Sequence, residues 1–563
     1  MHLVILETSA NQAFIFASNR LAEAIGASEM TTRIGTALMV ESIAAAGGPV
    51  IEGSIRDHLV NQEWSEDWAI LTATSGKAIV AVPSEEAGRS LIQHATLRAQ
   101  VLYPGAYLTG AISELAFEWQ GQDQDKSLHK CSLDAHGRLA AIRGEAPHPH
   151  ERFLQLPIVE VCRSSGLPAF DAIREGTAIE DEPPQPVSRT ALAKRRHAPH
   201  WYGRMNDMLQ GTDIDLPANV SRLEKQFDDL DWWSVIHADG NGIGNIFMNF
   251  AEHVEAYAEK IGVTVTNVFY AKCLAEFSVA LEIVTEKAFR DAAAALKGSA
   301  AEEVAQKTPA ESDPDPQQRA VPLPIVPLIL GGDDFTAICD GRRALEFSAA
   351  YLRAFEKHSQ SESVLEGIIP NLTPTGGLAA CAGVAITKPH YPFHRAYQLV
   401  EALTASAKRV KLKSPFLSAL DFHVLYDTTI RDIDDYRTYP TRPNYLRTGK
   451  PYVVSPLGGE ATAWSSAHSW QSFIEQLQAL DQKIEDGLLS TRQLNALRKA
   501  LDTGPLEADA QLSLGLRRHP ALECLIGNPS DGPPSVFVKV DDEHVTRVFD
   551  LIEARRFVGG RSS

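Results

Sequence analysis

The chain has 563 residues, of which 44% are hydrophobic, and it carries a formal net charge of −19. This length exceeds that of one ordinary domain, and the apolar content excludes an intrinsically disordered chain. The acidic balance excludes a protein whose main surface grips nucleic acid unaided, because such binding needs Lys and Arg against phosphates. It is compatible with a nucleotide substrate held through metal ions, or with nucleic acid held mostly by partner subunits.

The six cysteines are scattered without a C-x-x-C pair, which argues against a disulfide framework and favours a reducing compartment. The N-terminus lacks the basic start and apolar stretch of a signal peptide. No apolar run is long enough to cross a bilayer. We therefore expect a cytoplasmic protein without membrane contact.

Residues 1–118 have the pattern strand, helix, strand, strand, helix, strand, which predicts a first domain. The turn Thr74-Ser75-Gly76-Lys77 separates the two middle strands, as expected for a hairpin with a glycine-containing turn. The predicted elements in chain order are 3–6, 18–46, 68–73, 78–82, 84–100 and 107–112.

Residues 119–230 form a predicted linker domain. The stretch 119–150 is rich in Gln, Asp, His and Gly and is expected to contribute little to a core. A proline-rich bend at 181–186 and a basic run at 194–197 follow it.

Residues 231–445 repeat the order of the first domain, and residues 446–563 are predicted to be mainly helical. A low-complexity segment at about 298–322 is expected to be mobile. The fold class is therefore α+β, with two ferredoxin-like palm domains (antiparallel sheets with helices on one face), a helical linker and a C-terminal helical domain. The predicted elements of the repeat and the tail are 234–238, 246–260, 264–296, 325–330, 335–339, 342–358, 378–387, 393–411, 418–426 and 470–484.

The second predicted hairpin carries Gly331, Gly332, Asp333 and Asp334 between strongly apolar strands. The tetrapeptide alone also fits an ordinary turn, because glycine and aspartate favour turns. Adjacent carboxylates on a buried hairpin repel each other unless a cation lies between them. Asp239 ends a neighbouring strand, so the three aspartates predict a catalytic site for two Mg²⁺ or Mn²⁺ ions. The two glycines leave room for a nucleotide to approach the backbone.

Two further groups are candidates for nucleotide binding. Gly240, Gly242 and Gly244 form a turn into a helix, which fits a phosphate cradle built from N–H groups, or equally a flexible turn. Lys408 and Lys411 lie at the end of a predicted helix. They fit triphosphate binding, or the common preference for cations at a helix C-terminus.

Several of these segments resemble one protein family. Residues 237–247 (HADGNGIGNIF), 328–339 (LILGGDDFTAIC) and 381–408 (CAGVAI and AYQLVEALTASAK) resemble the second palm domain of the large subunit of type III CRISPR effector complexes, the CRISPR polymerase. Residues 7–28 resemble the opening of that family's first palm, and the tail resembles its helical domain. The resemblance covers nearly the whole chain. The second palm is more distantly similar to GGDEF diguanylate cyclases.

The resemblance implies an antiviral enzyme that joins ATP molecules 3′ to 5′ into cyclic oligoadenylates, releasing pyrophosphate when target RNA is bound. Asp333 and Asp334 match the family's metal-binding pair, and Asp239 matches its first-strand acid. Lys408 matches the lysine of its Ala-Lys pair. ATP, guide and target RNA, and other CRISPR effector subunits are the implied partners.

Four departures from the family pattern change these expectations. The family's N-terminal HD nuclease pair is missing, so we expect no DNase activity. Cys162 begins a C-R-S-S-G segment in which Ser165 replaces the second zinc cysteine, so we expect no structural zinc. The Thr-Ser-Gly-Lys turn fills the catalytic slot of the first palm, which we expect to bind a second nucleotide without metal, through Ser75 and Lys77. Asn241 stands where many relatives have a second aspartate, which leaves the ion count open.

Two other functions remain open at the level of sequence. The chain could be a non-catalytic scaffold subunit of a guide-RNA complex, although the intact GGDD turn argues against lost chemistry. It could also be a stand-alone, RNA-independent cyclic nucleotide synthase, which the acidic charge and the missing nuclease pair favour.

Overall fold

The structure, a computed structural model, is an α+β fold. No helix in the described part of the chain is long and apolar enough to cross a membrane. The described residues are 1–64, 67–120, 127–145, 156–173, 184–217, 231–307, 321–362, 367–368, 377–389, 391–413, 416–426, 433–457, 462–527 and 533–558.

The first sheet contains four antiparallel strands in the order β2-β3-β1-β4, which are β1 (His2–Ser9), β2 (Ala69–Thr74), β3 (Lys77–Val82) and β4 (Tyr107–Ile112). Leu3 to Leu6 of β1 are all buried, because helices cover both faces of the sheet, which corrects the expectation of helices on one face only. The helices of this first unit are α1 (Asn11–Ile15), α2 (Leu21–Gly35), α3 (Ala37–Ala45), α4 (Ile55–Asn61) and α5 (Glu85–Leu102). The predicted strands and the helix after Ser84 are confirmed; Ser84 caps α5 by accepting a hydrogen bond from the Ala87 amide.

Helix α6 (Leu128–Glu145) corrects the expectation that residues 119–150 contribute little to a core. Leu128, Cys131, Ala135 and Leu139 are buried in the main core. Their spacing of three and four residues forms one apolar stripe, which the many polar residues between them conceal in the composition.

The other described elements before the second sheet are short strands and one long helix: β5 (Asp171–Ile173), β6 (Gln185–Val187), α7 (Arg189–Met208) and β7 (Ile214–Asp215). The basic run lies on α7, which packs against α2. Lys194 is buried there, and Arg195 pairs with the buried Glu23 at 2.7 Å. Part of the predicted proline-rich bend, residues 181–183, lies outside the described residues.

The second sheet repeats the strand order of the first in its first four strands and forms the second unit. Its strands β8 (Trp233–Gly240), β10 (Ile325–Gly331), β11 (Asp334–Asp340), β12 (Ala380–Thr387) and β13 (Ala419–Val424) lie in the order β10-β11-β8-β12-β13. The pairs are antiparallel except β12 with β13. A short strand, β9 (Val321–Pro322), pairs instead with β7. The predicted hairpin is confirmed.

One helix of the second unit, predicted at 264–296, is longer than expected. Helix α10 runs to Lys307 and so enters the segment that was expected to be a mobile linker; residues 308–320 of that segment lie outside the described residues. The helices are α8 (Ile243–Met248), α9 (Phe250–Ile261), α10 (Asn267–Lys307), α11 (Ala344–Ser361) and α12 (Phe393–Ala407), the last continued by the 3₁₀ turn Lys408–Leu412.

The C-terminal part is mainly helical, but it also contains strands that the sequence did not predict. A small sheet has the order β14-β15-β18-β17, with β14 (Thr438–Tyr439), β15 (Arg442–Leu446), β17 (Val538–Val540) and β18 (Glu543–Val545). β16 (Tyr452–Val453) extends the second sheet beside β13. Four of these five strands have two or three residues, too few to leave a periodic signal. The helices are α13 (Ile433–Arg437), α14 (Ala463–Ala467), α15 (Trp470–Glu485), α16 (Thr491–Thr503), α17 (Pro505–Leu516), the 3₁₀ turn Pro520–Leu525 and α18 (Val548–Ala554).

Helix α10 is shared by the cores of both units. Ala275 and Val279 pack with the first unit, whereas Phe277 and Leu281 pack in the cluster that contains the core of the second. The two sets lie on different faces of one helix. This helix therefore fixes the first unit beside the GGDD hairpin.

Candidate active site

The GGDD turn is a tight connection between the two apolar strands β10 and β11. Gly331 pairs with Asp334, so Gly332 and Asp333 are the two turn residues. Gly332 has a φ of 61°, a left-handed conformation that glycine adopts without a steric penalty. The buried Thr285 of helix α10 donates a hydrogen bond of 2.6 Å from its hydroxyl to the Gly332 carbonyl.

Strand β8 brings Asp239 beside this turn. Ala238 pairs with Phe335, so Asp239 follows one residue beyond, next to Asp334 at the same sheet edge. Gly240 allows the close approach, because a Cβ there would lie 2.9 Å from Cβ and 3.0 Å from Oδ2 of Asp333. The structure therefore places the three predicted aspartates beside one another at the same end of the second sheet.

The two turn carboxylates are hard to ionise together. Burial among the surrounding atoms and then the charge of Asp333 raise the pKa of Asp334 to about 7, although the Asp334 side chain still reaches solvent. Burial raises the pKa of Asp333 as well, and this is opposed by backbone N–H groups, including that of Gly240, and by the charge of Lys411. Two oxygen ligands whose charges lack compensation suit a divalent cation.

Asp239 is engaged by a cation of the protein itself. The Lys408 ammonium forms an ion pair with Asp239 Oδ2. Lys408 reaches it because α12 lies directly on β12: a Cβ on Gly383 would come within 2.5 Å of the Val400 carbonyl oxygen. Across the described part of the chain, no three His, Cys, Asp or Glu side chains form a ready cation site. The three aspartates are thus neighbours in the sheet, but the Asp239 carboxylate is paired with Lys408.

The glycine-rich segment after Asp239 leads into only a short helix. Gly242 has a φ of 76° and caps α8, which spans the six residues Ile243–Met248. Nothing lies within 4 Å of the Cβ position of Gly242 or Gly244, so the space beside both glycines is open.

Asn241 lies within this segment and contacts Leu417. Its buried amide donates a hydrogen bond of 3.1 Å from Nδ2 to the Leu417 carbonyl. An aspartate in this conformation would place a carboxylate oxygen against that carbonyl, so asparagine fits the surroundings better.

The Thr-Ser-Gly-Lys turn of the first unit faces the second unit. A Cβ on Gly331 would lie 3.6 Å from Ser75 Cβ, which is ordinary contact. Lys77 lies 3.5 Å from Glu7 and 3.3 Å from His136 Nε2, so its ammonium already has two partners. Ser75 therefore reaches the GGDD turn, whereas Lys77 contacts Glu7 of its own unit and His136 of helix α6.

Residue Cys162, predicted to be a remnant of a zinc ribbon, is buried with serine neighbours. Its Sγ lies 3.3 Å from Ser164 Oγ. Burial raises the pKa of this thiol, but hydrogen bonds from Ser164, Ser165 and nearby backbone outweigh that effect and bring the pKa to about 6. Hydroxyl groups thus occupy positions beside the thiol.

Sequence reasoning missed two residues beneath the turn. Thr285 holds the Gly332 carbonyl, and the buried Tyr351 stacks on Phe335 at 4.7 Å between ring centroids. Both are distant in sequence from the motif, and neither residue type is unusual in a helix. Only the tertiary packing reveals them.

The fold and this site define a class of α+β protein. It has two sheets that share the strand order 2-3-1-4, and a GGDD turn joins two neighbouring strands of the second sheet. No protein-family profile and no curated protein sequence matches the chain. The crystal structure of Csm1 in T. onnurineus has a similar fold, with a TM-score of 0.51 and 13% identity, covering 99% of this chain and 69% of that one. The resemblance to the CRISPR large-subunit family is confirmed at the level of the fold.

Crystal structures of the Csm1-Csm4 cassette are more weakly similar. The complex with cA3 gives a TM-score of 0.46 and 13% identity, covering 99% of this chain and 70% of that one. The complex with cA4 gives a TM-score of 0.42 and 12% identity, covering 86% of this chain. This chain spans 63% of the length of the Csm1 chain in the cA4 complex.

Proposed function

We propose that the chain is a palm-type nucleotidyltransferase that makes cyclic oligoadenylates from ATP, within or derived from a type III CRISPR complex. The observation that carries the proposal is the meeting of Asp239, Asp333 and Asp334 at one sheet edge, with Asp333 packed on Gly240. The strand order 2-3-1-4 in both sheets supports two ferredoxin-like palms, at 1–118 and 231–445. Residues 119–230 and 446–563 would be the linker and C-terminal domains.

The three aspartates suit Mg²⁺ or Mn²⁺ by the chemistry of their oxygen donors and by the raised pKa values of the turn pair. A divalent ion bound there supplies the positive charge that activates a 3′-hydroxyl and stabilises departing pyrophosphate. The chain's own part is to hold the carboxylates in place and leave backbone space at Gly331 and Gly332.

The remaining candidates have separate roles in this proposal. Lys408 and Lys411 at the end of α12 would bind phosphate oxygens as point charges. Gly240, Gly242 and Gly244 would admit the substrate close to the backbone. Ser75 would contact the second nucleotide, because it lies against Gly331.

The test is incubation of the purified chain with labelled ATP and Mg²⁺ or Mn²⁺, with and without target RNA, followed by mass spectrometry of the product. We expect a cyclic oligoadenylate from the wild type and none from Asp333→Ala/Asp334→Ala. If no condition separates the two proteins, the proposal fails and a scaffold role is favoured. Activity without RNA, from a protein that elutes alone in gel filtration, would indicate a stand-alone synthase.

A further inference from the structure

The turn that carries Asp333 is held by a residue almost fifty positions away in the sequence. Thr285 is fully buried on α10, and its hydroxyl donates to the Gly332 carbonyl at 2.6 Å. Helical threonines commonly return their hydroxyl to the carbonyl one turn earlier, so an outward bond of this length is a specific tertiary contact. We infer that Thr285 is a positioning residue for the GGDD turn.

The contact has a mechanical consequence because Gly332 has no side chain to pack. Gly332 lies in the left-handed region, and no atom lies within 4 Å of its Cβ position. A glycine with open space beside it has more backbone freedom than any other residue. The Thr285 hydroxyl fixes its carbonyl and so limits where the neighbouring Asp333 carboxylate can go.

An adjacent face of α10 is attached to the first unit. Arg56 of helix α4 donates to both oxygens of Glu286 at 2.8 and 3.0 Å, and to Glu282 at 3.2 Å. Two-pronged Arg–carboxylate bonds fix orientation as well as distance. Glu286 is the residue next to Thr285, so the first unit sets the position of the helix that holds the turn.

The first unit therefore also has a positioning role. Through Arg56 and α10, that unit keeps Thr285 aligned with Gly332, in addition to any contact that Ser75 makes with substrate. The significance for catalysis rests on the proposed function, but the restraint on the turn does not.

A pair of substitutions at Thr285 tests the positioning role. Thr285→Val keeps the shape and removes the hydroxyl, whereas Thr285→Ser keeps the hydroxyl. Loss of one hydrogen bond to a buried carbonyl predicts roughly tenfold faster amide hydrogen exchange across residues 331–335 in the valine variant, and near wild-type exchange in the serine variant. Equal exchange in the valine variant and the wild type would overturn the inference.

Activity then separates this inference from the proposed function. We expect Thr285→Val to lower kcat about tenfold with KM for ATP nearly unchanged, because the hydroxyl touches no substrate, and Thr285→Ser to restore kcat. If the wild type makes no product, the proposed function fails, while the exchange data still decide the role of Thr285.

The link to the first unit is tested with Arg56→Met. Lys272→Met is the matched control, because Lys272 pairs with Glu276 at 3.7 Å within α10 itself and does not bridge to α4. We expect faster exchange at the turn in Arg56→Met and no change in the control. The Arg56→Met/Thr285→Val double variant should exchange no faster than Thr285→Val alone. Additive effects, or a turn unaffected by Arg56→Met, would refute the coupling.

Discussion

Lys408 forms an ion pair with Asp239 at the sheet edge where the proposed metal site lies. A divalent cation that binds Asp239 would compete with this ammonium for the same carboxylate. The displaced Lys408 would then be free to bind the phosphates of an incoming nucleotide. Lys408 would therefore have two opposing effects. Its ion pair with Asp239 weakens metal binding, and its charge strengthens nucleotide binding.

Lys408→Met separates the two effects. With no competing ammonium, we expect Mn²⁺ alone to bind about threefold tighter, in line with the modest value of a partly exposed ion pair. The KM for ATP should rise roughly tenfold, because a charged phosphate contact is lost. Electron paramagnetic resonance titration of Mn²⁺ and steady-state kinetics measure the two quantities.

Lys411→Met is the control for this prediction, because Lys411 has no ion pair with Asp239 among the described contacts. It should leave Mn²⁺ affinity closer to that of the wild type. Weaker Mn²⁺ binding in Lys408→Met would show that the lysine supports the metal site and would contradict the prediction.

Two glycines of one segment should respond in opposite ways to alanine. A Cβ at Gly240 would lie 2.7 Å from Ile243 Cγ1 and 2.9 Å from Asp333 Cβ, whereas at Gly244 nothing lies within 4 Å. We expect Gly240→Ala to lower kcat about 100-fold by displacing Asp333. Gly244→Ala on helix α8 should gain about 0.5 kcal/mol of stability and lower kcat far less than Gly240→Ala, because its Cβ displaces no carboxylate. Kinetics and thermal unfolding measure both; an active Gly240→Ala variant would contradict the geometry.

The local parts of the site were accessible from the sequence. Apolar runs on either side of the GGDD turn predicted the hairpin, since a buried strand pair needs both runs and a turn needs glycine. The position of Asp239 at the end of a strand followed from the same pattern. Each of these features depends on residues within about ten positions of one another.

The missing parts depend on contacts between distant segments. Nothing near Thr285 in the sequence indicates that its hydroxyl meets Gly332, and Ser75 became a candidate only through the family resemblance. Helix α6 was missed for a different reason: its apolar stripe is narrow, and composition alone hides it. Composition and short-range pattern therefore located the aspartates and glycines of the candidate site, but not the distant residues that hold them in place.

The first unit should not bind the metal. By strand register, Glu7 corresponds to Asp239, and Lys77, which pairs with Glu7, corresponds to Asp334. The Lys77 ammonium at 3.5 Å from Glu7 supplies a fixed positive charge there. Glu7→Gln should leave the number of bound Mn²⁺ ions unchanged, whereas Asp333→Asn/Asp334→Asn should abolish binding. Equilibrium dialysis with Mn²⁺ measures this, and a lower count in Glu7→Gln would disprove the assignment.

The C-terminal part should lose stability in mild acid because of one buried imidazole. His468 Nδ1 donates to the Gly449 carbonyl at 2.7 Å, and burial lowers the pKa of His468 to about 4. The unfolded chain takes up a proton near its ordinary pKa of about 6.5, whereas the folded chain resists protonation until about 4. The folded state is therefore fully favoured above pH 6.5, and this contribution is lost as the pH falls toward 4.

The size of the effect follows from linkage. Between pH 7 and pH 5 the His468 contribution should fall by about 2 kcal/mol, at ~1.4 kcal/mol for each unit of pKa difference. His468→Asn keeps a donor for the Gly449 carbonyl but cannot titrate, so its free energy of unfolding should fall about 2 kcal/mol less over the same interval. Urea unfolding followed by tryptophan fluorescence at the two pH values measures the difference. Equal losses in the wild type and the variant would show that His468 is protonated without cost in the folded state, which its burial argues against.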